Sequence, residues 1–497
     1  MLKDIIKKEI LGHLLDSKFL FAFVVCTVLI LLSFHMGMRS YTVNQNEYAT
    51  GVAETHRELD ERLTDSSGTK FASSRGVRLS NFPTFTTDAV RVYRPPQAME
   101  AVVGGVGDAS GRVSGVNNRM ENRPVESKYE SNPFLSIFSM FDLLFVVKMV
   151  LSLLALLFAY DAVSGEKERG TLKLALANGV PRSRIILGKA IGGYISLILP
   201  LLIPLLIGAM LISLNSDMAF GGEDWTRLFL LYGMFLLYLS VFFTLGLFVS
   251  SMTSRASTSF LTLLFVWTVL VLIVPKVAAS AAGWIQPAPF AHEILSQKTR
   301  IVPQIRQQID VDSLNSLRAS RPPQPTTMEE MMDPAYQANL RRWSDEVDAL
   351  TNELSHRYEA LLSKAYTEIV RDYRLRQEAQ RRLANNLSRV SPAAGLTLGG
   401  MVLARTGTDE YNRFLDATHD YRNVYNDWLV QNNLRNAFGQ AWPDVYLGVA
   451  DMPQFQYEPE SLGRSLVQAL PDFGLMAAMT IIFLTGAFFA FTRYDVR

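Results

Sequence analysis

At 497 residues and 49% hydrophobic, the chain is long enough for a membrane core and one sizeable soluble domain. A formal net charge of +1, with no basic stripe interleaved with aromatics, gives no support for a nucleic-acid partner. The lone cysteine, Cys26, excludes an intramolecular disulfide, so any portion outside the membrane must hold together by packing alone.

Residues 1–18 place Leu2, Ile5, Ile6, Ile10 and Leu14 on one stripe, with Lys3, Asp4, Lys7 and Lys8 elsewhere. That pattern suits a cytoplasmic amphipathic helix lying on the inner leaflet, and equally a lead-in to the first span. Residues 19–38 form that span; the lysines ahead of it keep the N-terminus inside, and no small-residue cleavage site follows. Residues 39–133 are polar and too long for a loop, so they read as the first extracytoplasmic insert. Within it, Glu54 to Leu63 is helix-like and Val90 to Tyr93 reads as a strand before Pro95-Pro96. Gly104-Gly105 and Ser114-Gly115 are turn signals.

Residues 134–160 make the second span, returning to a strongly charged stretch, residues 161–184. Asp161, Glu166, Lys167, Glu168, Arg169, Lys173, Arg182 and Arg184 cannot sit in hydrocarbon, so this stretch is a turn-around, and its basic excess puts it in the cytoplasm. A short helix can start at Gly170-Thr171, run through Leu172, Leu174, Ala175 and Leu176, and end at Asn178-Gly179 and Pro181. The third span, residues 185–214, contains Gly192-Gly193, Pro200 and Pro204, which favour close contact and a kink. A short outer turn with Asp217, Glu223 and Asp224 leads to spans four (228–250) and five (260–282).

Residues 283–470 are the second extracytoplasmic insert. Leu340, Trp343, Val347, Leu350, Leu354, Tyr358, Leu361, Ala365, Ile369 and Tyr373 recur in threes and fours, the mark of one long amphipathic helix. A second such helix opens at Thr408 and is expected to pack antiparallel to the first as a hairpin. Arg321-Pro-Pro-Gln-Pro is a linker. Pro392 to Leu403 is apolar but too short to span. It either touches the outer leaflet or fills the core of the insert, and core packing is the commoner fate of such runs. The sixth span, residues 472–491, ends inside. The fold class is therefore an α-helical polytopic membrane protein. It has about six transmembrane helices, and its mixed, mainly helical extracytoplasmic domain is built from the two inserts.

The chain contains no Gly-x-x-x-x-Gly-Lys-Ser/Thr phosphate cradle, no His-Glu-x-x-His, no clustered Cys and His and no Gly-x-Ser-x-Gly. It is read as a non-enzyme without a metal site, and any energy must come from a separate subunit. Asp142 and Lys148 stand within the second span and point about 120° apart on an ideal helix. An ionisable group at that depth marks a translocation path or a subunit interface; the plainer reading has Asp142 at the headgroups and Lys148 snorkelling.

The order Tyr160-Asp-x-x-Ser-Gly-Glu-x-Glu-x-Gly-Thr-Leu172, then Pro181-Arg-Ser-Arg184 and Leu187-Gly-Lys189, resembles the first cytoplasmic loop of ABC-type export permeases (the type-2 export permease family). The ending Phe491-x-Arg-Tyr-Asp-Val-Arg497 is similar to a branch with a large extracytoplasmic domain. The resemblance implies a coupling helix that seats in a groove of a cytoplasmic ABC ATPase, carried by Ser164, Gly165, Glu166, Glu168, Arg169, Gly170, Thr171, Leu172 and Leu176. Glu166 and Glu168 would meet partner cations, Arg169 a partner carboxylate, and Leu172 and Leu176 an apolar slot. It also implies a second permease copy or homologue, ATP and Mg bound by the ATPase rather than by this chain, lipid contact, and the bacterial inner membrane with both termini cytoplasmic. Two functions stay open: ATP-driven export of a solute, or mechanical work on a periplasmic partner without transport.

Overall fold

The computed structural model describes residues 2–63, 90–107, 111–116, 123–124, 142–177, 180–215, 217–218, 220–431 and 452–493. Residues 134–141, Asn178-Gly179 and the terminal Tyr494 to Arg497, on which parts of the reading above rest, lie outside them. Among the described residues six helices are long and apolar enough to cross a membrane, so the chain is a multi-pass helical membrane protein. Its contacts divide it into Met1–Pro275 with Arg389–Arg497, and Lys276–Ser388.

In the first unit, α1 (Leu2–Leu14) turns sharply into α2 (Ser17–Leu63). Hydropathy falls after Met38, yet α2 continues, because residues 39–63 contain no proline to break it. Its far end meets a three-stranded antiparallel sheet, β1 (Val90–Tyr93), β2 (Val113–Val116) and β3 (Arg123–Pro124), in that order. Ser114 and Gly115, expected in a turn, lie inside β2 opposite Val92 and Arg91; cross-strand pairing overrides their turn preference. The oily face of α14 (Thr408–Gln431) is covered by this sheet: Phe414, Tyr421 and Tyr425 share a core with Val90, Val92, Val116, Leu59 and Met452. Residues from both inserts thus build one core.

The membrane bundle comprises α2, α3 (residues 143–159), α6 (Arg182–Leu214), α7 (Gly222–Met252), α8 (Ala256–Ile285) and α15 (Leu462–Thr492). Both prolines of α6 are accommodated within a continuous helix, where they are buried. Two of these helices contain a wide π turn, Val146–Leu151 in α3 and Val269–Ile273 in α8. Such a turn frees a carbonyl from the helical ladder. The Lys148 carbonyl accepts from Tyr238 Oη at 2.9 Å and Ser152 Oγ at 2.6 Å, and the Leu270 carbonyl accepts from Ser391 Oγ at 2.5 Å.

Ser391 is the N-cap of α13 (Pro392–Ala404), the apolar run too short to span. It is a buried helix, as its length suggested, but the core it fills is the bundle rather than the sheet domain. Ala393, Leu396, Leu403 and Ala404 join the same cluster as Leu143, Leu231 and Phe235. Gly399 and Gly400 make this possible, since side chains there would run into Met234 and Leu144. A 3₁₀ turn, Ala98–Ala101, enters the same cluster from the first insert with Met99, Val102 and Val103. Val106 N donates to Thr406 O at 3.0 Å, tying this turn to the end of α13.

The second unit holds the whole of α12 (Pro334–Ser388), a 55-residue helix about 80 Å long. Its partners here are α9 (Ala291–Gln307) and α10 (Val311–Ala319). Of the positions from Leu340 to Tyr373 read as an oily stripe, Leu354 is buried and the others are partly buried, while most of the described residues between them are exposed. Trp343 Nε1 donates to Leu317 O at 2.8 Å, and Arg321 lies 5.7 Å from the Trp343 ring, so the linker residue is pinned to the helix. The turn α11 (Met328–Met331) joins α10 to α12.

Candidate functional site

The charged stretch between α3 and α6 folds as two short helices, α4 (Ser164–Glu168) and α5 (Thr171–Ala177). Gly170 between them has φ +74, a left-handed conformation that ends the first helix cheaply only with glycine. The start of α4 is capped from another span: the N–H groups of Val163 and Ser164 both donate to Ser250 Oγ at 3.0 Å, and Ser250 donates on to Ser164 Oγ at 3.2 Å. Both serines are fully buried.

Three consecutive charges then reach three different spans. Glu166 accepts from Lys189 Nζ of α6 at 2.8 Å, and the same ammonium donates to Glu9 of α1 at 3.0 Å. Lys167 donates to the carbonyls of Ser251 and Thr253, the unsatisfied C-terminal end of α7, where a cation is favoured. Glu168 accepts from the backbone N–H of Ala256 at 3.0 Å, the first residue of α8, where an anion is favoured. Either side of this trio, Lys18 of α2 donates to Asp161 at 2.7 Å, and Arg182 donates to the last carbonyl of α15, Thr492 O, at 2.6 Å.

The sequence-predicted residues therefore divide. Ser164, Gly165 and Leu172 are buried, and Leu172 packs with Val163, Ile185, Ile186, Leu247, Ala487 and Phe491, with Leu176 half-buried beside it. The expectation that Leu172 and Leu176 fill a partner's slot is corrected: both face the chain's own spans, because α5 lies with that edge inward. Glu166 and Glu168 likewise have partners within the chain. Facing outward are Arg169, Thr171 and Lys173, with Leu174 at 66% exposure. Leu174 stood in the apolar pattern of the loop, but no role followed from pattern alone. Glu9, Lys18, Lys189 and Ser250 went unassigned; a lysine four residues into an apolar span was the one signal available, since a charge there demands a partner.

Asp142 and Lys148 do not form one site. Asp142 precedes the span and is its N-cap, accepting from Phe145 N at 2.8 Å; the N–H groups of Gly104 and Gly105 also act on its carboxylate. Lys148 is half-buried in the π turn of α3. Around that turn the bundle is filled by Val146, Val147, Leu151, Tyr238 and Trp267.

At the opposite end of α7 lies a joint that sequence reasoning missed. Arg227 is fully buried; Nη1 donates to Leu403 O at 2.9 Å and Ser465 Oγ at 3.0 Å, and Nη2 to Glu460 O at 2.8 Å and Glu223 Oε1 at 2.9 Å. Arg405 follows α13 in a left-handed conformation and donates to Glu223 at 2.6 Å and Glu460 O at 2.7 Å. Glu460 also pairs with Arg413, and Tyr457 Oη donates to Glu410 at 2.5 Å, carrying the network into α14. One guanidinium thus joins α7, α13 and α15 to the sheet domain.

Six apolar helices, a charged loop tied to every neighbouring span and a buried helix at the other end define a multi-pass membrane permease. The family model described as ABC-2 family transporter protein matches residues 4–496, and the chain belongs to that family. Over 88 residues it is 39% identical to a protein of Stutzerimonas stutzeri described as probable ABC transporter permease protein NosY. That match takes in 18% of this chain and 30% of the relative, so the chain spans about a third of the length of the curated relative it matches.

Proposed function

We propose that the chain is the permease subunit of an ATP-driven ABC exporter, worked by a separate cytoplasmic ATPase that docks on α4 and α5. Support comes above all from the trio Glu166, Lys167 and Glu168, whose side chains reach α6, α7 and α8. A push on this one loop is delivered to three spans together. Ser164, Gly165, Glu166, Glu168, Leu172 and Leu176 hold the loop to the bundle. Gly170 sets the angle between its helices, and Arg169, Thr171, Lys173 and Leu174 meet the ATPase. ATP and Mg²⁺ are bound by that partner, two permease copies or homologues form the assembly, and both polar inserts lie outside the inner membrane of a bacterial cell. In this arrangement Lys148 faces the path or the second copy.

A second reading, mechanical work on a periplasmic partner without solute movement, is favoured by the Arg227 joint and by the filled bundle around Lys148. The test is co-purification with the cognate ATPase and measurement of ATP turnover. Leu174→Asp with Lys173→Glu should abolish the complex, whereas Glu166→Ala and Glu168→Ala should keep the complex and lose turnover stimulation. Unchanged complex and turnover in all three variants would remove the coupling assignment.

A further inference from the structure

The two sides of α1 differ in what they meet. One side rests on α6: Ile5 over Gly188, Ile6 and Glu9 over Gly192, and His13 3.9 Å from Glu9. There Glu9 completes the Glu9–Lys189–Glu166 network behind the loop. The other side is open. At 100° per residue, Lys3, Lys7 and Lys8 share it with Leu11, Leu14 and Leu15. The lysines are exposed, and the leucines are 47%, 37% and 86% exposed. Asp4 lies on the same side, leaving it a net excess of two positive charges over one turn and a half. Charge thus comes first and oil second, and the oil runs on into the exposed Leu20, Phe21 and Val24 of the first span. The stripe Ile5 and Ile6, read from the sequence as a leaflet contact, is instead spent on α6.

We propose that this open side of α1 binds the headgroups of anionic phospholipids in the inner leaflet, and that Glu9 carries their occupancy to the coupling loop. The proposal rests on the orientation and coupling given under Proposed function. A soluble protein partner would need the leucines out of lipid, yet they are continuous with the lipid-facing residues of α2; lysines one turn beyond such leucines fall at the depth of phosphate groups. A helix held in place by its headgroups keeps Glu9 on Lys189, and so keeps Lys189 available to Glu166.

The protein is reconstituted in nanodiscs of phosphatidylcholine alone or mixed with phosphatidylglycerol, and phosphatidylglycerol retained after extraction is counted by native mass spectrometry. Relative to wild type, the Lys3→Gln, Lys7→Gln, Lys8→Gln variant should lose occupancy by about fivefold per lysine at low salt. The corresponding triple arginine variant should restore it. Glu9→Gln should retain the lipid yet lose the lipid-dependent rise in ATP turnover of the complex. Equal retention in the glutamine variant and wild type would overturn the binding surface. A full lipid response in Glu9→Gln would overturn the transmission. Should no ATPase bind at all, the coupling reading fails while the retention measurement still decides this one.

Discussion

At one end of the bundle, Glu166, Lys167 and Glu168 fan out from a five-residue helix to three spans; at the other, Arg227 alone gathers α7, α13, α15 and the segment at Glu460. In the first, Lys167 and Glu168 are part-exposed charges on span ends, where each tether costs little to rearrange, while Glu166 is held by the buried Lys189. The second is a fully buried cation with four acceptors, two of which, Glu223 and the Glu460 carbonyl, it shares with Arg405. Under the proposed coupling, a displacement applied to the loop is expected to reach α6, α7 and α8 while the joint holds.

The comparison breaks most visibly at the joint. Arg227→Met removes a fully buried guanidinium and its four hydrogen bonds, leaving the Leu403 carbonyl without that donor while Glu223 and the Glu460 carbonyl keep Arg405, and should destabilise the protein by about 3–5 kcal/mol in detergent unfolding assays. Lys189→Met comes next, since Glu9 and Glu166 lose their shared cation; a loss of about 3 kcal/mol is expected, and Lys189→Met with Glu166→Gln should lose less than the sum of the single changes. Ser250→Ala removes the acceptor for two buried N–H groups and should cost about 1–2 kcal/mol, with α4 showing faster amide exchange.

The smallest effect concerns pH. Burial pushes the Glu410 carboxyl up from its usual range, against the pull of Tyr457 and of the Arg413, Arg405 and Arg94 charges. A raised value favours the protonated form in the folded state. Its contribution is therefore whole below the unfolded carboxylate value of about 4.3 and is lost as pH rises through the raised value. Unfolding followed by Trp428 fluorescence should show a fall in stability over that window, and Glu410→Gln should flatten it.

The spans and the stripe of α12 were legible because hydropathy and a period of threes and fours are local properties of the chain. The loop was legible too, through the order of its charged residues. What each charge does was not: Glu166 finds Lys189 across 23 residues and Glu9 joins from far upstream, and only packing brings them together. Leu172 and Leu174 have the same chemistry, and their opposite fates depend on how α5 is rolled, which no propensity decides. The joint was invisible for the same reason, since Arg227 meets Leu403 and Ser465 at separations of 176 and 238 residues. The burial of α13 was readable from its length and small residues, but not which core would take it.

The wide turn in α8 has a consequence for α13. Because the Leu270 oxygen is satisfied by the Ser391 hydroxyl, lifting the short helix away would leave a bare carbonyl facing an apolar interior, at a cost of about 1–3 kcal/mol. The fifth crossing is therefore expected to help hold α13 in place, and regularising the π turn should weaken that hold.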